Sequence, residues 1–165
     1  MLILVEGADG SGKTTLVESL RKRGFKVVKP IARELSSQDV RWTYLCLDSI
    51  QGGMTNHIVD RSFISELVYR TFDGKEPTIS LTSICILLKH CKIIYCKTDS
   101  QYEDSIARGE DNITTKEASE QISKLYDLFI GMFKQFEKVP VFYYDWRRSN
   151  LDEVSVFIKS KNQRR

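Results

Sequence analysis

Short apolar runs alternate along the chain with longer stretches in which apolar residues recur every three or four positions. Residues 2–6 (LILVE) are an apolar run closed by an acid, which predicts a buried strand. Over 13–23, Leu16 and Leu20 stand one turn apart on the inner face of a predicted helix. Arg21, Lys22 and Arg23 crowd its last turn, where the helix dipole favours cations, and Gly24 can close it. "FKVVKP" predicts a second strand ended by Pro30. "SSQDVRWTYLCLDSIQGG" predicts a second helix, started by Ser36 or Ser37 and stopped by Gly52-Gly53. "HIVD" reads as a third strand, "SFISELVYRTF" as a helix and "DGKEP" as a turn. "TSICILLKHC" reads as a mostly buried helix and "KIIYCKT" as a fourth strand. A helix from about Gln101 to Arg108, a polar hinge and a long helix from Thr115 to Phe136 follow. "VPVFYYD" is a fifth strand and "LDEVSVFIKS" a closing helix.

Repeated strand–helix alternation predicts an α/β fold with a parallel sheet, helices on both faces and right-handed crossovers. Ligands in such sheets sit beyond the carboxyl ends of the strands. The residues to read for chemistry are therefore Gly7–Thr15, Lys29–Glu34, Asp60–Ser62, Thr98–Asp99 and Asp145–Arg148.

Composition narrows the picture modestly. A length of 165 residues suits one domain over 1–165, and 41% apolar with 28% charged residues is ordinary for a globular protein. A net charge of +3 suits a binder of anions and does not establish nucleic-acid binding. Cys46, Cys85, Cys91 and Cys96 form no Cys-x-x-Cys pair and lie in apolar runs, as expected of buried thiols in a reducing compartment. No apolar run reaches the roughly 18 residues of a membrane span, and Glu6 interrupts any leader-like stretch, so the expected location is the cytoplasm. His57 and His90 are too isolated to suggest a metal site.

The chemistry begins at "GADGSGKTT". Gly7, four residues, then Gly12-Lys13-Thr14 matches the phosphate-loop pattern, set between a predicted strand and a predicted helix. Gly7, Ala8, Gly10, Ser11, Gly12 and Thr15 can turn backbone N–H groups inward around a phosphate, at a helix N-terminus of positive potential. Lys13 can reach the β- and γ-phosphates, and the Thr14 hydroxyl is a Mg²⁺ ligand in such loops. "HIVDRS" ends the third strand in Asp60-Arg61-Ser62. The acid is placed for Mg²⁺ or its waters, and the arginine for bidentate contact with a phosphate.

With these motifs, the chain resembles the thymidylate kinases, a nucleoside monophosphate kinase family. "GADGSGKTTL" is similar to their phosphate loop, with its Asp two residues after the first Gly. "VDRSFISELVY" is similar to their Asp-Arg segment. "SIARGEDNITTKEASEQISKLYDLF" is similar to their lid and long helix, and "YYDWRRSNLDEV" to their last strand, adenine-side loop and last helix. The resemblance implies a three-layer P-loop kinase fold with a five-stranded parallel sheet, a lid over about 108–115, and ATP–Mg²⁺ as donor. It implies that Asp9 faces the acceptor sugar, Lys13 and Thr14 hold ATP and Mg²⁺, and Asp60 orders Mg²⁺ waters or the acceptor. Arg61 would clamp the acceptor phosphate and Arg108 would stabilise the transferred phosphoryl group. Tyr126 would lie near the acceptor base, and Trp146 and Arg147 would flank the adenine. This phosphate loop carries no arginine, which shifts that duty to Arg108. The family's Arg-Glu-Pro-Gly-Gly segment is replaced by "KPIARELSSQ", where Arg33-Glu34 is the remaining echo and Arg33 a candidate acceptor contact.

Three acceptors stay open. A pyrimidine deoxynucleotide (dTMP, or a modified dUMP such as 5-hydroxymethyl-dUMP) brings its own anionic nucleophile and needs cations such as Arg33, Arg61 and Arg108. A hydroxyl acceptor, on a free deoxynucleoside or on a hydroxymethylated pyrimidine within DNA, needs a carboxylate base such as Asp60. Trp42 or Tyr44 can stack on a base, although core packing is the commoner fate, as it is for Phe63, Tyr69 and Phe72. A non-enzymatic nucleotide switch is the remaining reading, since "CKTD" over 96–99 echoes a guanine-reading motif that lacks its first residue. No membrane partner is expected, and the assembly is a monomer or a homodimer.

Overall fold

The computed structural model describes residues 1–28, 57–99, 101–107 and 115–160. Five strands, β1 (Leu2–Glu6), β2 (Val27–Val28), β3 (Ile58–Asp60), β4 (Cys91–Cys96) and β5 (Val141–Tyr144), form one sheet in the order β2-β3-β1-β4-β5. Every pairing is parallel, with Leu4 opposite both Val59 and Ile93, and Ile94 opposite Phe142. The described helices are α1 (Lys13–Lys22), α2 (Phe63–Phe72), α3 (Leu81–Leu88), α4 (Gln101–Ala107), α5 (Lys116–Phe136) and α6 (Leu151–Lys159).

The sheet is covered on both faces because alternate residues of its central strands point to opposite sides. Leu2, Leu4, Val59, Ile93 and Tyr95 pack with α2, α3 and α5, through residues such as Phe63, Leu67, Ile84, Tyr126 and Ile130. Ile3, Val5, Ile58, Ile94 and Cys96 pack with α1 and α6, through Leu16, Leu20, Val154 and Ile158. This two-sided burial is why LILV and IIYC read as unbroken apolar runs rather than alternating ones.

Element boundaries moved in small, explicable ways. The helix expected from "SFISELVYRTF" begins at Phe63 because the Ser62 hydroxyl caps it, accepting from the Ile64 N–H. Ser80 caps α3 in the same way, accepting from the Ser83 N–H. α3 ends at Leu88, and Cys91, read as helical in the sequence, opens β4 instead by pairing with Leu2. Thr115 is the N-cap of α5 rather than its first residue. The helix expected over 36–53, with Cys46, lies outside the described residues.

Lys92 is buried on β4, although lysine is rarely so. Its ammonium donates to the carbonyls of Phe157 (2.7 Å), Ile158 (3.3 Å) and Ser160 (2.5 Å) and to the Ser160 hydroxyl (2.9 Å). A cation thus closes the C-terminal end of α6, where free carbonyls and the dipole favour positive charge. No helix among the described residues is long and apolar enough to cross a membrane.

Candidate active site

The end of β1 runs straight into the phosphate loop. Gly7 takes φ 145°, and a Cβ there would run into the Cys96 carbonyl on the neighbouring strand. Gly12 takes φ 85°, and its Cβ would sit 2.8 Å from Trp146 Cδ1. A side chain is therefore excluded at both positions by space as well as by backbone angle. Gly12 is the N-cap of α1 and gives no side-chain cap, whereas Ser62, Ser80, Thr115 and Asn150 each cap their helices with a side-chain oxygen. The first N–H groups of α1 are thus left for an anion.

Lys13 folds back into the loop at 6% exposure. Its Nζ donates to the Ala8 carbonyl and lies 3.4 Å from Ser11 Oγ and 4.0 Å from Asp9 Oδ1. Burial, and after it the Arg61 cation, lower its pKa to about 8. Ala8, Gly10 and Ser11 are buried in the loop, while Thr14 and Thr15 are exposed at the start of α1.

Asp60 ends β3 in register with Val5, one strand from the loop. The next residue, Arg61, has φ 64°, an uncommon backbone angle for a residue with a side chain. This conformation aims the guanidinium back across the sheet edge, where it ion-pairs with Asp9. Asp9 is nearly buried. The Tyr69 hydroxyl, from α2, donates to Asp9 Oδ2 at 3.2 Å and lies 3.3 Å from Arg61 Nη1, and the guanidinium stacks over the Tyr69 ring at 5.4 Å. Asp9, Arg61 and Tyr69 thus form one polar cluster beside the phosphate loop.

On the other side of the loop, Trp146 packs on Gly12 and remains 38% exposed. The Arg147 guanidinium stacks on the Trp146 ring at 4.8 Å and donates to both oxygens of Asp104 on α4, at 2.9 and 3.2 Å. Trp146 and Arg147 therefore bracket the flank of the loop opposite the Asp9–Arg61 pair.

Tyr126, expected near the acceptor base, is wholly buried on α5, its hydroxyl 2.8 Å from Ser65 Oγ and its ring stacked on Tyr95. It sits behind Tyr69, edge-on to that ring at 6.4 Å between centroids. Tyr69, read from sequence as core, is half-buried and carries its hydroxyl into the site; its apolar neighbours in α2 gave no sign of this. Arg33 and Arg108 lie outside the described residues, as do Trp42 and Tyr44. In the "CKTD" stretch, Lys97 pairs with Asp127 at 2.7 Å and Asp99 lies 3.7 Å from Arg148. Cys91 and Cys96 are buried and Cys85 is half-buried; burial pushes the Cys96 thiol up to about 12.

Sequence reading missed Glu6. It is fully buried at the last position of β1. Its carboxylate accepts from the Ser62 N–H (2.7 Å), the Ser62 hydroxyl and the Ser65 hydroxyl (2.5 Å). Burial pushes its carboxyl above the ordinary range, against the pull of the serine hydroxyls and Arg61. The available signal was an acid closing a strand with no other polar residue.

No family model and no curated protein matches the chain. Solved structures do. YorR of Bacillus subtilis, determined in complex with phosphorylated GDP, is similar at 21% identity over 94% of this chain and 91% of its own, with a TM-score of 0.70. Deoxyadenosine kinase from M. mycoides with bound dCTP is 18% identical over 96% of this chain and 97% of its own, with a TM-score of 0.60. The same enzyme with bound dATP gives 16% identity, coverage of 97% and 100%, and a TM-score of 0.57. At such identities the likeness is one of fold: the chain has the α/β fold of P-loop nucleoside and nucleotide kinases, its five-stranded parallel sheet flanked by helices.

Proposed function

We propose that the chain is an ATP-dependent phosphotransferase of the nucleotide-kinase type, and that it transfers the γ-phosphate to a pyrimidine deoxynucleotide such as dTMP or 5-hydroxymethyl-dUMP. The observation that carries this reading is the side-by-side placement of an uncapped, glycine-built phosphate cradle and the Asp9–Arg61–Tyr69 cluster. The fold neighbours add support, since their bound ligands include dCTP and dATP.

In this reading the α1 N-terminus and Lys13 hold the donor phosphates, and Trp146 and Arg147 border the adenine. The exposed Thr14 hydroxyl and the Asp60 carboxylate are oxygen donors of the kind Mg²⁺ accepts alongside water and phosphate. Mg²⁺ would supply charge neutralisation between the β- and γ-phosphates. A deoxynucleotide brings both a phosphate and a sugar hydroxyl. It can therefore separate the Asp9–Arg61 pair and give each member a new partner: phosphate for Arg61, hydroxyl for Asp9. The arginine then offsets repulsion between two anions without any base being needed. Arg108 remains the candidate for the charge on the transferred group.

A second reading has its own observation. Arg61 is already neutralised by Asp9, and the Asp60 carboxylate, at the end of β3 opposite Val5, suits removal of a proton from a hydroxyl acceptor. Such an acceptor is a free deoxynucleoside or a hydroxymethylated pyrimidine within DNA. A screen with labelled ATP tests both readings, using dTMP, dUMP, 5-hydroxymethyl-dUMP, free deoxynucleosides, and DNA with normal or hydroxymethylated pyrimidines. Label transfer to a deoxynucleotide alone supports the first reading. Transfer to nucleosides or DNA replaces it with the second, and GTP turnover without any acceptor overturns both.

A further inference from the structure

Arg61 does not hold its backbone conformation unaided. A non-glycine residue at φ 64° is strained relative to ordinary backbone and persists where neighbours over-determine it. Two successive N–H groups of this turn are tied to the last two residues of β1: the Arg61 N–H donates to the Val5 carbonyl at 3.1 Å, and the Ser62 N–H to Glu6 Oε1 at 2.7 Å. The first tie is main chain and survives any side-chain change at position 5. The second depends on one buried carboxylate.

That carboxylate also orders what lies behind it. The Ser62 and Ser65 hydroxyls both donate to it. Ser62 Oγ keeps a lone pair for the Ile64 N–H and caps α2. Ser65 Oγ, its proton given to Glu6, accepts from Tyr126. Glu6 thus links the strand that feeds the phosphate loop, the turn that aims Arg61 at Asp9, the first turn of α2 and, through Ser65, the middle of α5.

We propose that Glu6 is a positioning residue that sets the Arg61 turn and thereby the acceptor half of the site, while leaving the donor half to the loop glycines and Lys13. This rests on the acceptor role given to Arg61 above. Glu6 is fully buried behind the turn and bonded to Ser62 and Ser65, so it acts through Arg61.

The test is a double-mutant cycle on the full chain, with Glu6→Gln, Arg61→Lys and their combination. Steady-state KM is measured for the acceptor found in the screen and for ATP, and denaturant stability is measured on the same proteins. Glu6→Gln is expected to raise the acceptor KM at least fivefold with the ATP KM within twofold. The double variant is expected to be no worse than Arg61→Lys alone in acceptor KM, and the two substitutions to be non-additive in stability. The stability cycle needs no acceptor. Additive stability effects, or a Glu6→Gln variant that loses activity with both KM values unchanged, overturn the proposal. If Arg61→Lys leaves the acceptor KM as in the wild type while the stability cycle stays non-additive, the acceptor reading of Arg61 fails and the Glu6–Arg61 link stands. Should Glu6→Gln not fold, Ser65→Ala removes one donor from the same carboxylate and is expected to move the acceptor KM in the same direction by a smaller factor; an unchanged acceptor KM there counts against the proposal.

Discussion

A lysine that must be charged to hold phosphate, yet titrates near pH 8 when the site is empty, makes donor binding depend on pH. Lys13 is driven there by burial and by the Arg61 cation. With a free-state pKa of about 8, the charged fraction falls from about nine-tenths at pH 7 to about one-tenth at pH 9. Donor phosphates favour the charged form and raise the pKa once bound. The dissociation constant of a non-hydrolysable ATP analogue should therefore rise roughly tenfold across that interval, a cost of about 1.4 kcal/mol from the proton equilibrium alone. Calorimetric titration at pH 7, 8 and 9, at constant ionic strength, measures it. Repeating the pH 8 titration in buffers of different ionisation enthalpy should reveal uptake of about half a proton per analogue bound. Lys13→Arg should flatten the profile, because a guanidinium stays charged throughout. Equal affinity at pH 7 and pH 9 with no proton uptake would refute the assignment of Lys13, as would a Lys13→Arg variant that keeps the full slope. The free protein's stability carries the same linkage. The folded pKa lies below the ordinary 10.5, so stability is highest above pH 10.5, falls as pH drops toward 8 and is flat below.

Two further substitutions probe the frame around the site. Gly12→Ala puts a Cβ against Trp146 at a φ of 85°, and should raise the ATP KM at least tenfold and lower the melting temperature by a few degrees; a wild-type ATP KM would count against the cradle. Lys92→Met removes a cation bonded to three carbonyls and a hydroxyl at the end of α6. It should cost about 2–3 kcal/mol, or roughly 5–10 °C in melting temperature, with kcat per folded molecule unchanged; an unshifted melting curve would show those carbonyls to be satisfied otherwise.

What the sequence determined by itself was whatever depends on near neighbours along the chain. Apolar runs and period-3.6 patterns marked all the described strands and helices, because burial on two faces makes a strand uniformly apolar and burial on one face makes a helix striped. The phosphate loop was legible because its geometry needs glycines and a lysine at set spacings within nine residues. The tertiary structure decided everything that joins distant segments. Asp9, Arg61 and Tyr69 meet only because β1 and β3 are adjacent and α2 returns over them, and hydroxyl placement on a helix leaves no trace in apolar periodicity. Tyr126 and Tyr69 are both tyrosines on amphipathic helices, yet one is walled into the core and the other reaches the site. Their helices' depths, not their sequences, separate them. Glu6 shows the same division most plainly. From sequence it was a charge that interrupted an apolar run; its partners, Ser62 and Ser65, lie more than fifty residues away and reach it only through the parallel pairing of β1 with β3.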